Sequence, residues 1–507
     1  MPAHLYAELS SRFPADRSRI AFETQDGALH SYADVEAGAA RMAGALVALG
    51  VKPGDRVAVQ IEKSLQAVLL YLGCARAGAV FLPLNTAYTP AEIEYFLTDA
   101  EPTVFVCDPA RKDSLAGAAD AANVAHVETL DADGRGSMSE RARFCPPTFA
   151  DVERGPDDLA GILYTSGTTG RSKGAMISQE NLASNARALV EYWRFTSDDT
   201  LIHALPIYHT HGLFVAINVL LMAGGKMIFL PKFDADQVMS YMPRATSLMG
   251  VPTFYTRLLQ HPGLTKEATA HMRLFISGSA PLLAETHREF SSRTGKAILE
   301  RYGMTETNMI TSNPYDGDRT PGTVGFPLPG VSVRIADPGS GALLLPKGEI
   351  GVIEVKGPNV FKGYWRMPEK TAAEFRADGY FITGDLGMID KRDYVHIVGR
   401  GKDLVITGGF NVYPKEIETE IDGLPGVLES AVIGVPHADF GEGVTAVVVR
   451  AKGADIDEAT IARALYGRLA KFKLPKKILF VDDLPRNTMG KVQKNVLRDR
   501  FKSIYEA

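Results

Sequence analysis

The sequence predicts an α/β fold: a large N-terminal region of parallel-sheet α/β layers, a β-rich subdomain that closes it, and a small α+β unit at the C-terminus. Three observations carry this. Short apolar runs alternate with stretches whose apolar spacing fits an amphipathic helix. From Gly317 to Gly399 the texture becomes denser in strand patterns, with turns marked at Gly322, Gly325, Pro327, Pro329 and Gly330. After Arg400 a fresh set of helix and strand patterns begins.

The elements follow in order. The region from Ala33 to Cys107 shows the alternation first. Gly161 to Tyr164, Leu201 to Leu205, Met227 to Leu230 and Leu274 to Ser277 read as buried strands, because each is short and almost wholly apolar. Between them, Gln179 to Tyr192 has helical apolar spacing. Buried strands separated by helices pair in parallel. Gly348 to Val355 alternates in polarity, which predicts a half-exposed antiparallel strand. Tyr413 to Ile417 opens a helix, since Pro414 near the first turn lacks an N–H that would be unpaired there anyway. Ser430 to Val435 and Val444 to Val449 read as strands. The glycines of Gly399-Arg400-Gly401-Lys402 permit large φ/ψ changes, which places the expected boundary between 1–400 and 401–507.

Composition bounds the function. A chain of 507 residues exceeds one hydrophobic core. With 45% hydrophobic and 23% charged residues it has the mix of a soluble globular protein. Lys+Arg of 55 against Asp+Glu of 60 argues against nucleic acid as a partner, because phosphate backbones select a basic face. The three cysteines, Cys74, Cys107 and Cys145, are too sparse for a disulfide framework or a zinc site. The first residues lack a basic stretch followed by an apolar run, and Leu213 to Met222 is too short to span a bilayer. A cytoplasmic protein without a membrane partner is expected.

Four stretches carry chemistry. Tyr164-Thr165-Ser166-Gly167-Thr168-Thr169-Gly170-Arg171-Ser172-Lys173-Gly174 follows a buried strand. Its glycine-freed N–H groups and hydroxyls can cradle phosphate oxygens, with Lys173 as a mobile charge. It lacks the Lys-Ser/Thr pair of a Walker loop. In Glu300-Arg301-Tyr302-Gly303-Met304-Thr305-Glu306-Thr307, Tyr302 can stack on a purine and Glu306 can offer a hard oxygen to Mg²⁺. In Thr383-Gly384-Asp385, an Asp at a strand end can accept both ribose hydroxyls. Pro485-Arg486-Asn487-Thr488-Met489-Gly490-Lys491 sets a lysine on a glycine turn. Taken singly, these also suit a surface turn, a strand end, a common Gly-Asp turn and a solvated lysine.

In their order and spacing these stretches, with the Gly408-Gly409 segment, resemble the adenylate-forming superfamily of acyl-CoA synthetases, firefly-type luciferases and peptide-synthetase adenylation domains. The resemblance covers nearly the whole chain. It implies an N-terminal AMP-binding domain and a small mobile C-terminal lid. It also implies ATP, Mg²⁺ and coenzyme A as cofactor and substrates. Thr165, Ser166, Gly167, Thr168, Thr169, Gly170 and Lys173 would hold the ATP phosphates. Ser279, Ala280 and Pro281 would line the adenine pocket with Tyr302, and Gly303 and Met304 would also bind ATP. Thr305 would meet the phosphate, Glu306 the metal and Asp385 the ribose, with Arg400 joining the ribose or phosphate contacts. Lys491 would be the catalytic lysine, Lys402 the hinge, and Gly408, Gly409 and Phe410 would approach coenzyme A. The Pro485 to Lys491 stretch looks like the segment modified in members of the family, so a lysine acetyltransferase and deacetylase acting on Lys491 are expected partners.

Joining a carboxylate to a phosphate brings two anions together, so such a site needs concentrated positive charge. Arg301 adds a cation where the acid and nucleotide should meet. A buried arginine without a partner is costly, which points to a second carboxylate on the substrate, with a salt bridge to Glu300 or Glu285 as the alternative. His209 would stand opposite, and Thr210 and Met309 would set pocket size. Tyr208 to Gly212 and Glu300 to Met309 closely resemble the malonyl-CoA synthetases, which implies a dicarboxylic acid, malonate or methylmalonate. The rivals are a medium-chain or aromatic acid ligase, a module loading a separate carrier protein, and a nucleotide-binding regulator without chemistry.

Overall fold

The computed structural model describes residues 5–165, 172–339, 343–408, 410–466, 468–487 and 490–505. Two sheets organise the N-terminal region. The first orders His126–Thr129, Val104–Cys107, Arg56–Gln60, Val80–Pro83, Leu159–Thr165 and Lys173–Ser178. Its strands run parallel except for the last pair, a hairpin across the phosphate-loop sequence.

The second sheet has nine strands. Ile298–Met304, Leu274–Ser277, Ser247–Gly250, Thr200–His203, Lys226–Phe229 and Ile20–Thr24 run parallel at its centre. Antiparallel strands finish both edges. Ser247–Gly250 and Leu274–Ser277 are buried throughout, as continuous apolar runs between helical layers must be. Helix Gln179–Tyr192 starts at a capping box in which Ser178 and Asn181 satisfy each other's backbone N–H groups. One apolar cluster, with Trp193, Tyr32, Tyr71, Phe22 and Phe275 among its members, joins both sheets.

Ser332–Ala336, Gly351–Lys356, Phe381–Ile389 and Val395–Arg400 form an antiparallel sheet. Gly351–Lys356 is antiparallel as expected but mostly buried. Glu354, the polar residue that suggested a wet face, is fully covered and takes ion pairs from Arg334 and Arg376. Asp385 does not end a strand either: Phe381–Ile389 runs on past it, with Gly384 at φ 72° within it.

Beyond Arg400, Val427–His437 and Gly441–Arg450 form a long hairpin, flanked by Val405–Thr407 with Phe410–Val412 and by Lys477–Val481. Helix Pro414–Asp422 opens with its proline in the first turn. Two apolar clusters serve this unit, and every buried member of either lies at Val405 or later. Among the described residues no helix is long and apolar enough to cross a membrane. Cys74, Cys107 and Cys145 are free thiols.

Candidate active site

Parallel strands bring their carboxyl ends to one edge, the usual place for a ligand in such sheets. Register places Ser277 beside Gly250 and Glu300, and Met249 beside His203. Arg301 and Tyr302 follow on the strand that runs furthest.

Arg301 is 3% exposed. Its guanidinium lies flat against Gly278, where a Cβ would come 2.4 Å from Cζ. Among the described residues Nε and Nη2 have no hydrogen-bond partner. Neither glutamate supplies one: Glu300 faces His287 at 3.5 Å and the Gly322 N–H at 3.3 Å, and Glu285 is exposed. The salt-bridge alternative is therefore not realised. Burial pushes the Arg301 pKa down to about 9, yet a guanidinium keeps its proton, so this electrostatic cost stands until an anion arrives.

The facing wall is Pro206 to Gly212, leading into a π-helical turn at His211–Ile217. π-Turns concentrate at functional sites. Thr210 Oγ1, His209 Nε2, His211 Nε2 and Ser277 Oγ are buried with no partner among the described residues. Ser279, at φ 71°, places Oγ 3.2 Å from His211 Nδ1. Burial first, then Lys491, lowers His209 to about 4. Burial and Arg301 hold His211 far below the usual imidazole range. The histidines are thus neutral, and the positive charge belongs to Arg301 and Lys491. Met309 is buried, its backbone clasped by Asn185 and its methyl against Gly303.

The residues expected on the nucleotide side form a second group. Tyr302 Oη donates to Asp385 Oδ2 at 2.5 Å, and Arg400 Nε lies 2.7 Å from Asp385 Oδ1. Glu306 accepts from Tyr364 Oη at 3.1 Å and Thr165 Oγ1 at 3.4 Å. The single Tyr364 proton is shared with Glu374, which lies nearer at 2.7 Å. Lys173 is buried, 3.2 Å from Glu374 and 4.0 Å above the Tyr364 ring. It is not a mobile charge: strand Lys173–Ser178 and the Glu374 carboxylate hold it. Thr305 sits in the turn before Glu306, and Ala280 and Pro281 follow Ser279. Ser166, Gly167, Thr168, Thr169, Gly170 and Gly409 lie outside the described residues.

Mg²⁺ is held by one or two carboxylates plus substrate phosphates. The hard oxygens of Glu306 and Thr165 fit that requirement. Among the described residues no group of three or more His, Cys, Asp or Glu could hold a metal unaided.

The C-terminal unit delivers Lys491. Gly490, at φ 73°, sits where a Cβ would be 3.5 Å from Thr253 of the large sheet's helix Pro252–Gln260. Asn487 Oδ1 accepts from the Lys491 N–H at 3.0 Å. The ammonium stands among Arg400, Asp385, Glu306 and Arg301, and burial lowers its pKa. The residue as a whole is nonetheless exposed to water. Lys402 is exposed in the Gly401–Asp403 turn. Gly408 and Phe410 are not brought to this cleft by any described contact: Gly408 bonds Phe440, and Phe410 stacks on Phe472 at 4.6 Å.

Sequence reasoning missed Tyr364, Glu374, Lys63 and His203. His203 had a signal, a polar residue inside the apolar run Leu201 to Leu205. The others carry no spacing signature.

A family model described as AMP-binding enzyme matches residues 8–365, and one described as AMP-binding enzyme C-terminal domain matches 416–491. The chain belongs to the AMP-binding enzyme family. It is 69% identical to ATP-bound MatB from Rhodopseudomonas palustris, covering 100% of both chains with a TM-score of 0.97. It is 36% identical to a feruloyl-CoA synthase of an Amycolatopsis species, over 94% of each chain. It is 35% identical to a malonate–CoA ligase of Arabidopsis thaliana, over 89% of this chain and 78% of that one.

Proposed function

We propose that the protein ligates malonate to coenzyme A at the expense of ATP, through a malonyl-adenylate. The observation that carries the choice of acid is Arg301: a buried guanidinium with open hydrogen-bonding atoms and no acidic partner among the described residues. A distal carboxylate satisfies it by two parallel charge-assisted bonds. A short dicarboxylate fits because the Lys491 ammonium stands close enough to Arg301 to feel its charge. The likeness to a malonate–CoA ligase supports the same acid. The feruloyl-CoA synthase likeness favours an aromatic acid, which would leave Arg301 unpaired.

In the first half-reaction a carboxylate oxygen of malonate bonds to the α-phosphorus of ATP, the bond to the bridging oxygen breaks, and pyrophosphate leaves. Lys491 supplies positive charge at that phosphorus. Asp385, oriented by Arg400 and Tyr302, takes the ribose hydroxyls. Glu306, with ATP phosphates, would hold Mg²⁺, whose charge offsets the pyrophosphate leaving group. In the second half-reaction the thiol sulfur bonds to the acyl carbon and AMP departs. Because Lys491 occupies the cleft, the C-terminal unit 401–507 turns about Lys402 away from the N-terminal domain, bringing Gly408 to Phe410 near the thiol arm. Lys491 is the residue an acetyltransferase would silence, since acetylation removes its charge.

The test is pyrophosphate release across small mono- and dicarboxylic acids, with and without coenzyme A. Malonate should be turned over in preference to butyrate and ferulate. A preference for butyrate or ferulate overturns the dicarboxylate, and the absence of AMP with every acid overturns the ligase.

A further inference from the structure

Behind the acid-facing wall lies a buried pair outside the nucleotide and lid residues. Lys63 follows strand Arg56–Gln60 and is 8% exposed. Its Nζ donates to the His203 carbonyl oxygen at 2.8 Å and lies 2.8 Å from His203 Nδ1. It also sits 4.2 Å from the centroid of the Phe229 ring. Among the described residues no carboxylate pairs with it, and burial alone pulls its pKa well below the lysine range.

His203 ends strand Thr200–His203 and is fully buried. Its Nε2 is 2.8 Å from the Gly212 carbonyl oxygen. That oxygen can only accept, so Nε2 carries the proton. Nδ1 of a neutral ring is then bare and takes a hydrogen from Lys63. The carbonyl so held belongs to the first turn of the π-helix His211–Ile217. Gly212 is packed so closely that a Cβ there would lie 2.0 Å from the Pro206 carbonyl. The two ends of the wall therefore touch, and His203 pins their junction. Between them, His209 and Thr210 hold their unpaired polar atoms, with those of His211 alongside.

We propose that Lys63 and His203 are positioning residues for acid binding. Lys63 fixes the Nε2–H tautomer of His203, and His203 clamps the Gly212 carbonyl, so that the wall opposite Arg301 keeps one shape. The inference rests on the assignment of Pro206 to Gly212 to the acid pocket, and neither residue touches substrate.

Two measurements decide it. With ¹⁵N-labelled histidine, long-range ¹H–¹⁵N correlation on the wild-type protein should show His203 neutral and protonated at Nε2. An Nδ1–H tautomer or an imidazolium overturns the proposal. Lys63→Met should raise the KM for the wild type's best acid about tenfold or more, with KM for ATP nearly unchanged. Lys63→Gln, which keeps a donor, should recover most of that loss. A folded Lys63→Met with unaltered acid KM overturns the relay. So does a variant in which acid KM, ATP KM and kcat worsen together in step with a lower Tm. If Lys63→Met does not fold, the wild-type tautomer and the Gln variant decide. Because the acid is whichever the wild type uses best, failure of the malonate assignment leaves this test standing.

Discussion

Under the proposed function, Arg301 would select a substrate by what it lacks. Its neighbours offer a glycine face, neutral histidines and unpaired hydroxyls but, among the described residues, no carboxylate. Desolvating a charge costs several kcal/mol unless an ion of opposite sign enters with good geometry. A monocarboxylate spends its one charge at the phosphorus and leaves Arg301 unsatisfied. Removing one partner of a buried charge pair costs about 2–5 kcal/mol, so Arg301→Ala should raise the KM for malonate roughly 100-fold while ATP binding changes little. Steady-state kinetics with malonate and butyrate check this, and an unchanged malonate-to-butyrate ratio contradicts it. Lys173 teaches the opposite lesson. It looked like a free cation for phosphate, yet Glu374 neutralises it and its ring contact ties it to Tyr364, which in turn orients Glu306.

At the scale of elements, the wall Pro206 to Gly212 is shaped by a π-turn that an ordinary α-helix would not reproduce. The turn depends on backbone proximity at Gly212, where a methyl group would overlap the Pro206 carbonyl. Backbone cannot retreat as a flexible side chain can. Gly212→Ala should therefore destabilise the fold by about 2 kcal/mol or more, as overpacked core substitutions do, and raise the acid KM. Thermal melts and kinetics on the purified variant measure both, and a neutral result would mean the turn is not closed as described. The hairpin Leu159–Thr165 with Lys173–Ser178 works differently: its two strands bring Thr165 and Lys173 opposite each other, so both ends of the connecting glycine-rich sequence start from fixed points.

At the scale of the whole molecule, the candidate site draws its charge from distant stretches of the chain: Arg301 from the large sheet, Arg400, paired with Asp385, from the antiparallel sheet and Lys491 from the C-terminal unit. Holding histidines neutral beside them has a global consequence. His211 titrates far below its unfolded value of about 6.5. Above that value both states are neutral and nothing is lost. As pH falls below it the unfolded chain binds a proton that the fold refuses, so stability drops by about 1.4 kcal/mol per pH unit for each such group. Asp422, raised to about 6 by burial, opposes this over some of the range. The comparison that isolates the histidine is wild type against His211→Asn: the variant should gain relative stability as pH falls from 6.5 towards 4. Parallel stability curves would contradict the assignment.

The buried strands, the Gln179–Tyr192 helix and the β-rich segment were legible in the chain itself, because apolar period and turn residues are local properties. The stretches around Tyr302, Glu306, Asp385 and Lys491 stood out as motifs, and only their resemblance to a family gave them expected roles. Arg301 was legible as a charge in the wrong surroundings. Tertiary structure alone decided which charges stay unpaired. Glu300 turns to His287 and Glu374 captures Lys173, while Lys63 finds His203 across 140 positions. Local sequence sets what each segment can form. Pairing energies depend on distance and burial, and only the folded chain assigns those.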